Sequence, residues 1–134
     1  MSIVTEANVI NAISNDHSLD LFKAVAITKA SNTDKFRKKI KLTRKQYYSR
    51  MSRMIKVGLI KRKNGKYFLT SLGKIVYEAQ AMIENALNDY WKLKAIDSLE
   101  GALNIELPTE ERSKILDTLI DNHHIKEILL PKSI

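Results

Sequence analysis

Two adjacent residues, Asn64-Gly65, constrain this chain more tightly than any others. An Asn-Gly pair between apolar runs is the strongest short hairpin signal, because a two-residue type I′ turn needs positive φ at both positions. Leu59-Ile60-Lys61-Arg62-Lys63 before it and Lys66-Tyr67-Phe68-Leu69-Thr70 after it have the length and residue types of strands. Gly58 sits where a helix C′ residue belongs, and Thr70 or Ser71 is placed to cap a following helix. The sequence therefore predicts helix, hairpin, helix over this stretch.

The helix before the hairpin is bounded with equal clarity. Thr43 and Gln46 form a T-x-x-Q capping box, in which the threonine hydroxyl takes an amide of the first turn and the glutamine reaches back. The helix is expected over 43–57. At about 100° per residue, Tyr47, Tyr48, Met51, Met54, Ile55 and Gly58 fall on an inner side. Lys45, Gln46, Ser49, Arg53 and Lys56 fall opposite, with Arg50 and Ser52 on the flanks. Upstream, Thr33 is placed to cap a short helix, DKFRKKI, with Phe36 and Ile40 inward and Lys35, Arg37, Lys38 and Lys39 outward. Lys41-Leu42 is then a tight turn between two helices, the helix-turn-helix spacing.

Charge is concentrated on the same stretch. Residues 29–77 hold sixteen Lys/Arg and one acid, Asp34, for +15, whereas 1–28 carry −2 and 78–134 carry −5, within a chain of net +8. Basic side chains on periodic apolar sequence belong to a folded surface, and a polyanion is its natural counterpart, since bound phosphates release counterions. The outer face of helix 43–57 suits a major groove: arginine can take guanine O6 and N7, glutamine can read adenine, and serine can reach phosphate. Lys61, Arg62, Lys63, Asn64 and Lys66 on the hairpin suit phosphates or the adjacent minor groove.

On either side of this stretch the periodicity is helical. Val9, Ile10 and Ile13 share a face within 3–14; Asn15-Asp16-His17 interrupts, with His17 read as a loop residue; Ser18 is placed to cap a helix to about Ile27 carrying Leu19, Phe22, Val25 and Ala26. After the hairpin, Leu72, Val76, Ala79, Ile83, Ala86, Tyr90 and Leu93 recur at steps of four and three, a heptad seam predicting one helix to about Lys94 that pairs with a second copy. Trp91 and Tyr90 are placed to anchor that contact. Gly101 marks an expected break, Pro108-Thr109-Glu110-Glu111 opens another helix with Ile115, Leu116, Leu119 and Ile120 as its stripe, and Asn122-His123-His124 reads as a turn before a last short helix. The acidic segment 97–134 is read as a brace, a sensing module or a protein contact, with no residue choosing among them.

The run LTRKQYYSRMSRMIKVGLIKRKNGKYFLTSLGKIVY resembles small archaeal winged helix-turn-helix transcriptional regulators and, more loosely, bacterial repressors of the multiple-antibiotic-resistance type. The features carrying the likeness are the recognition-type helix, Gly-Leu-Ile-Lys-Arg, a hairpin with Gly-Lys-Tyr, and Leu-Thr-x-x-Gly, within about residues 18–80. The resemblance implies a mainly α fold with a small two-stranded β-hairpin: a winged helix-turn-helix domain at 1–71, then a long dimerisation helix with coiled-coil character and a short helical tail at 72–134. It implies a homodimer on a pseudo-palindromic double-stranded DNA site. Thr43, Arg44, Lys45, Gln46, Ser49, Arg50, Arg53 and Lys56 would lie at the recognition helix, and Lys38, Lys39 and the wing at 61–67 on the backbone. An assembly or adaptor module of the transcription machinery is the alternative, and RNA binding a third reading, disfavoured because Tyr47 and Tyr48 are placed inward.

Other chemistry is not expected. The chain has no cysteine, adjacent His123 and His124 point to different sides of a helix or strand, and no glycine-rich phosphate loop is present, since Gly58, Gly65, Gly73 and Gly101 have turn or helix-end explanations. No metal, cofactor or enzymatic activity is therefore expected. The N-terminus lacks a secretory pattern and no apolar run is long enough for a membrane span, so a cytoplasmic protein is expected. A small-molecule effector has room at the junction of long helix and head, with no residue pattern naming one.

Overall fold

A computed structural model describes residues 3–28, 34–103 and 108–130. Among these the chain is mainly helical with one two-stranded hairpin. The order is α1 Glu6–Ala12, α2 Asp16–Thr28, α3 Asp34–Lys39, α4 Arg44–Lys56, β1 Ile60–Lys63, β2 Lys66–Leu69, α5 Ser71–Asn88, α6 Tyr90–Leu103, α7 Thr109–Leu119 and α8 His123–Leu129. Two compact units divide it, Met1–Ala79 and Gln80–Ile134, so the first turns of α5 belong with the hairpin.

In the first unit, Leu21, Phe22 and Val25 of α2 meet Tyr47, Met51 and Met54 of α4, with Val9 and Ala12 of α1 and Ile60 and Tyr67 of the hairpin closing the core. Burying each large side chain contributes roughly 1.5–3 kcal/mol, which makes α2 and α4 the pair on which this unit rests. The local signals near α4 hold. Thr43 Oγ1 accepts the Gln46 amide at 3.1 Å and the Gln46 side chain accepts the Thr43 amide at 3.0 Å. At the far end Gly58 has φ 86°, its amide bonds Ile55 O, and the Leu59 amide bonds Met54 O, a Schellman closure with Leu59 and Met54 both in the core. The same closure ends α3, where Lys41 takes φ 61° and the Lys41 and Leu42 amides bond Lys38 O and Arg37 O. Asn64 and Gly65 have φ 54° and 75°, as a type I′ turn requires, in register Ile60↔Leu69 and Lys63↔Lys66.

Several expectations are corrected. Ile10 is exposed, and Ala12 takes the inward place beside Val9. The cap of α2 is Asn15, whose Oδ1 accepts the Ser18 amide at 3.0 Å; His17 therefore lies in the first turn, and Ser18 is buried. Arg37 is buried at 8% exposure and donates to Leu42 O across the Lys41 turn. Thr33 lies outside the described residues.

The single long helix is also corrected. It ends at Asn88, and α6 starts at Tyr90. The Asp89 amide bonds Ala86 O three residues back, while Asp89 O accepts the Leu93 amide. Asn and Asp compete with the helical ladder and favour its ends, which accounts for a break at this pair. Gly101 lies inside α6 and does not break it; a helical glycine costs only about 1 kcal/mol. The core of the second unit is Ile96, Leu116, Ile120 and Ile125, edged by Met82, Ala86 and Leu93. Arg112 pairs with Glu100 and donates to Leu129 O at 2.8 Å. His123 and His124 open α8 beneath an Asn122 cap, instead of forming a turn.

Candidate nucleic-acid interface

Tyr47, Met51, Met54 and Val57 hold α4 to the core, leaving Lys45, Ser49, Ser52, Arg53 and Lys56 exposed. Thr43 and Arg44 are exposed at its start. The two tyrosines separate: Tyr47 is buried, whereas Tyr48 is 48% exposed, and Ile55 is also exposed. Tyr48 lies edge-on against the outside of the Tyr47 ring at 5.1 Å without being covered, so the assignment of Tyr48 and Ile55 to the packed side is corrected.

Two of the expected reading side chains have structural engagements. Gln46 turns its Oε1 to the Thr43 amide, so a bidentate grip on adenine requires opening the capping box. Arg50 is half-buried, and its Nη1 donates to Asn15 Oδ1 at 2.8 Å and Ser18 Oγ at 2.9 Å, tying α4 to the start of α2. Spacing alone put Arg50 on a flank; its partners 32 and 35 residues away had no signal in the local pattern.

The hairpin meets α4 through Tyr67, whose ring lies edge-on to Tyr47 at 6.4 Å. Arg62, paired with Tyr67 across the ladder, stacks over that ring at 5.6 Å. Burial pushes the Tyr67 hydroxyl above its ordinary 10.0; nearby Arg62 opposes that shift and Tyr48 adds to it. By strand alternation Lys61 and Lys63 share the opposite hairpin face from Arg62. Lys61, Lys63, Asn64 and Lys66 are exposed, as are Lys38 and Lys39 on α3. The first unit thus carries exposed basic groups on α3, α4 and both strands.

Beside α4 runs a groove of about 690 Å³ shared with α1. Asn8, Asn11 and Asn15 line one side, Ser49, Arg53 and Lys56 the other, and no carboxylate lines it among the described residues. Sequence reading placed no function on α1, because its asparagines look like ordinary solvated positions. A second cavity, about 580 Å³ between α2, β2 and α5, is lined chiefly by Val25, Phe68, Leu69 and Tyr77.

The seven expected dimerisation positions are distributed differently from a single seam. Val76 packs on the first core, and Ala86 and Leu93 on the second. Leu72, Ala79, Ile83 and Tyr90 are exposed. In the second unit Ile83, Leu87 and Trp91 are 62%, 65% and 77% exposed at successive steps of four. Among the described residues no cluster of His, Asp or Glu is arranged to hold a metal, and no helix is long and apolar enough to cross a membrane.

Comparison with protein-family models, with curated proteins and with solved structures returned no match.

Proposed function

We propose that the chain is a winged helix-turn-helix protein that binds duplex DNA as a homodimer and regulates transcription. The order α3, left-handed Lys41 turn, capped α4, hairpin supports the winged reading. One observation carries the DNA assignment: α4 exposes Lys45, Ser49, Ser52, Arg53 and Lys56 to solvent, with no acid on this helix, and a basic hairpin follows it in the chain. In this reading α4 enters the major groove, Arg53 contacts base edges, and Lys63 and Lys66 lie on phosphates. Ile83, Leu87 and Trp91 support a homodimer, since so large an apolar row in water favours burial against a second copy.

Selection of bound duplexes from a random pool by the full chain tests this. The expected product is a pseudo-palindrome with half-sites about 34 Å apart or a multiple of that. Recovery of no common sequence, with heparin displacing every duplex equally, would overturn it.

A further inference from the structure

The α1–α4 groove carries more than the reading face needs. Its floor includes Arg50, a half-buried guanidinium with no carboxylate partner among the described residues. A cation withdrawn from water without a counter-charge is unfavourable, so an anion arriving there is favoured. Arg50 is also fixed in advance: Nη1 is held by Asn15 and Ser18, leaving Nη2 to donate, while the Nε proton is shielded and has no acceptor among the described residues. Arg53 lies three residues on, a neighbour on the helix surface, and also lines the groove. Across from them Asn11 of α1 supplies an amide and Asn8 the Nδ2 proton not donated to Ile3 O, while Ser49 of α4 adds a hydroxyl. A pre-positioned guanidinium and neutral donors, with no acid among the described lining residues, suit the several acceptor oxygens of phosphate.

We infer that this groove is a phosphate-binding site, with Arg50 as its cationic ligand and α1 as its second wall. The phosphate is either a backbone phosphodiester of the duplex, which rests on the DNA-binding reading above, or a free phosphate ester competing for the same guanidinium. In the first case α1 helps fix the register of α4. In the second, a small ligand blocks the reading face directly.

The test follows the Arg50 side-chain Nε–H resonance of the full chain by NMR, assigned through its loss in Arg50→Lys. The probes are inorganic phosphate and, separately, a duplex of arbitrary sequence. A saturable shift is expected with at least one probe. Phosphate alone producing it identifies the free ester; the duplex alone identifies the backbone. Asn11→Asp, at an exposed wall position away from both cores, should raise the midpoint at least about fivefold, as expected for one added negative charge in a partly hydrated groove. An unmoved Arg50 signal with both probes, or an unchanged midpoint in Asn11→Asp, overturns the site. If phosphate leaves Arg50 unmoved and Asn11→Asp leaves duplex affinity intact while loss of Lys63 and Lys66 reduces it, the groove fails and the DNA reading stands. If no duplex binds but phosphate shifts Arg50, the DNA reading fails and the groove stands.

Discussion

Gly73 sits in the first turn of α5, where a Cβ would lie 2.0 Å from the backbone oxygen of Leu59. That oxygen also accepts the Thr70 amide, and Thr70 Oγ1 takes the Gly73 amide at 2.9 Å, so neither side has freedom to yield. Gly73→Ala should therefore lower stability by about 2 kcal/mol or more in chemical denaturation; an unchanged midpoint would contradict the close approach. By spacing Gly73 has only a helix-end role, because a steric demand from Leu59, fourteen residues earlier and just before β1, has no local pattern. Thr43 is the opposite case, legible from two residues. Thr43→Ala should cost about 1 kcal/mol. Tyr67 provides a pH test. Its raised value means the folded state holds the phenol proton more tightly, so this contribution to stability is complete below the ordinary 10.0 and is lost as pH rises through the folded value. Thermal melts should show an alkaline decline that Tyr67→Phe lessens; an identical decline in the variant would remove the assignment.

At the level of elements, what was readable obeyed short-range rules. The capping box, the Gly58 closure and the Asn64-Gly65 turn each depend on residues within a few positions, and each appears where spacing put it. The elements misread depend on packing far along the chain. One heptad pattern concealed two helices because Val76 and the pair Ala86 and Leu93 serve separate cores. Tyr48 and Ile55 fell on the inner side by helical arithmetic, yet both stay exposed while Tyr47, Met51 and Met54 take the core. Arg50 and Asn15 are a long-range pair that neither helix announces alone. The hairpin carries its own prediction. Replacing Lys63 and Lys66 with alanine should weaken specific and random duplexes alike and reduce the salt slope by about 0.9 per lost phosphate contact. Loss confined to one sequence would move these lysines from backbone to base readout.

For the whole molecule, the charge division and the unit division nearly coincide: the basic stretch ends at residue 77, and the first unit ends at Ala79. One unit is strongly basic, and the other is acidic and carries the exposed Ile83, Leu87 and Trp91 row. Trp91→Lys should convert a dimer into a monomer by light scattering while leaving the helical circular dichroism signal intact, since Trp91 is 77% exposed and outside both cores. A variant that still dimerises would place the contact elsewhere. The most direct measurement of the central claim compares the full chain with Arg53→Ala on a pool-selected duplex and on its scrambled counterpart. A loss of roughly 1–3 kcal/mol is expected on the selected duplex and little change on the scrambled one. Equal losses on both would contradict base reading by α4.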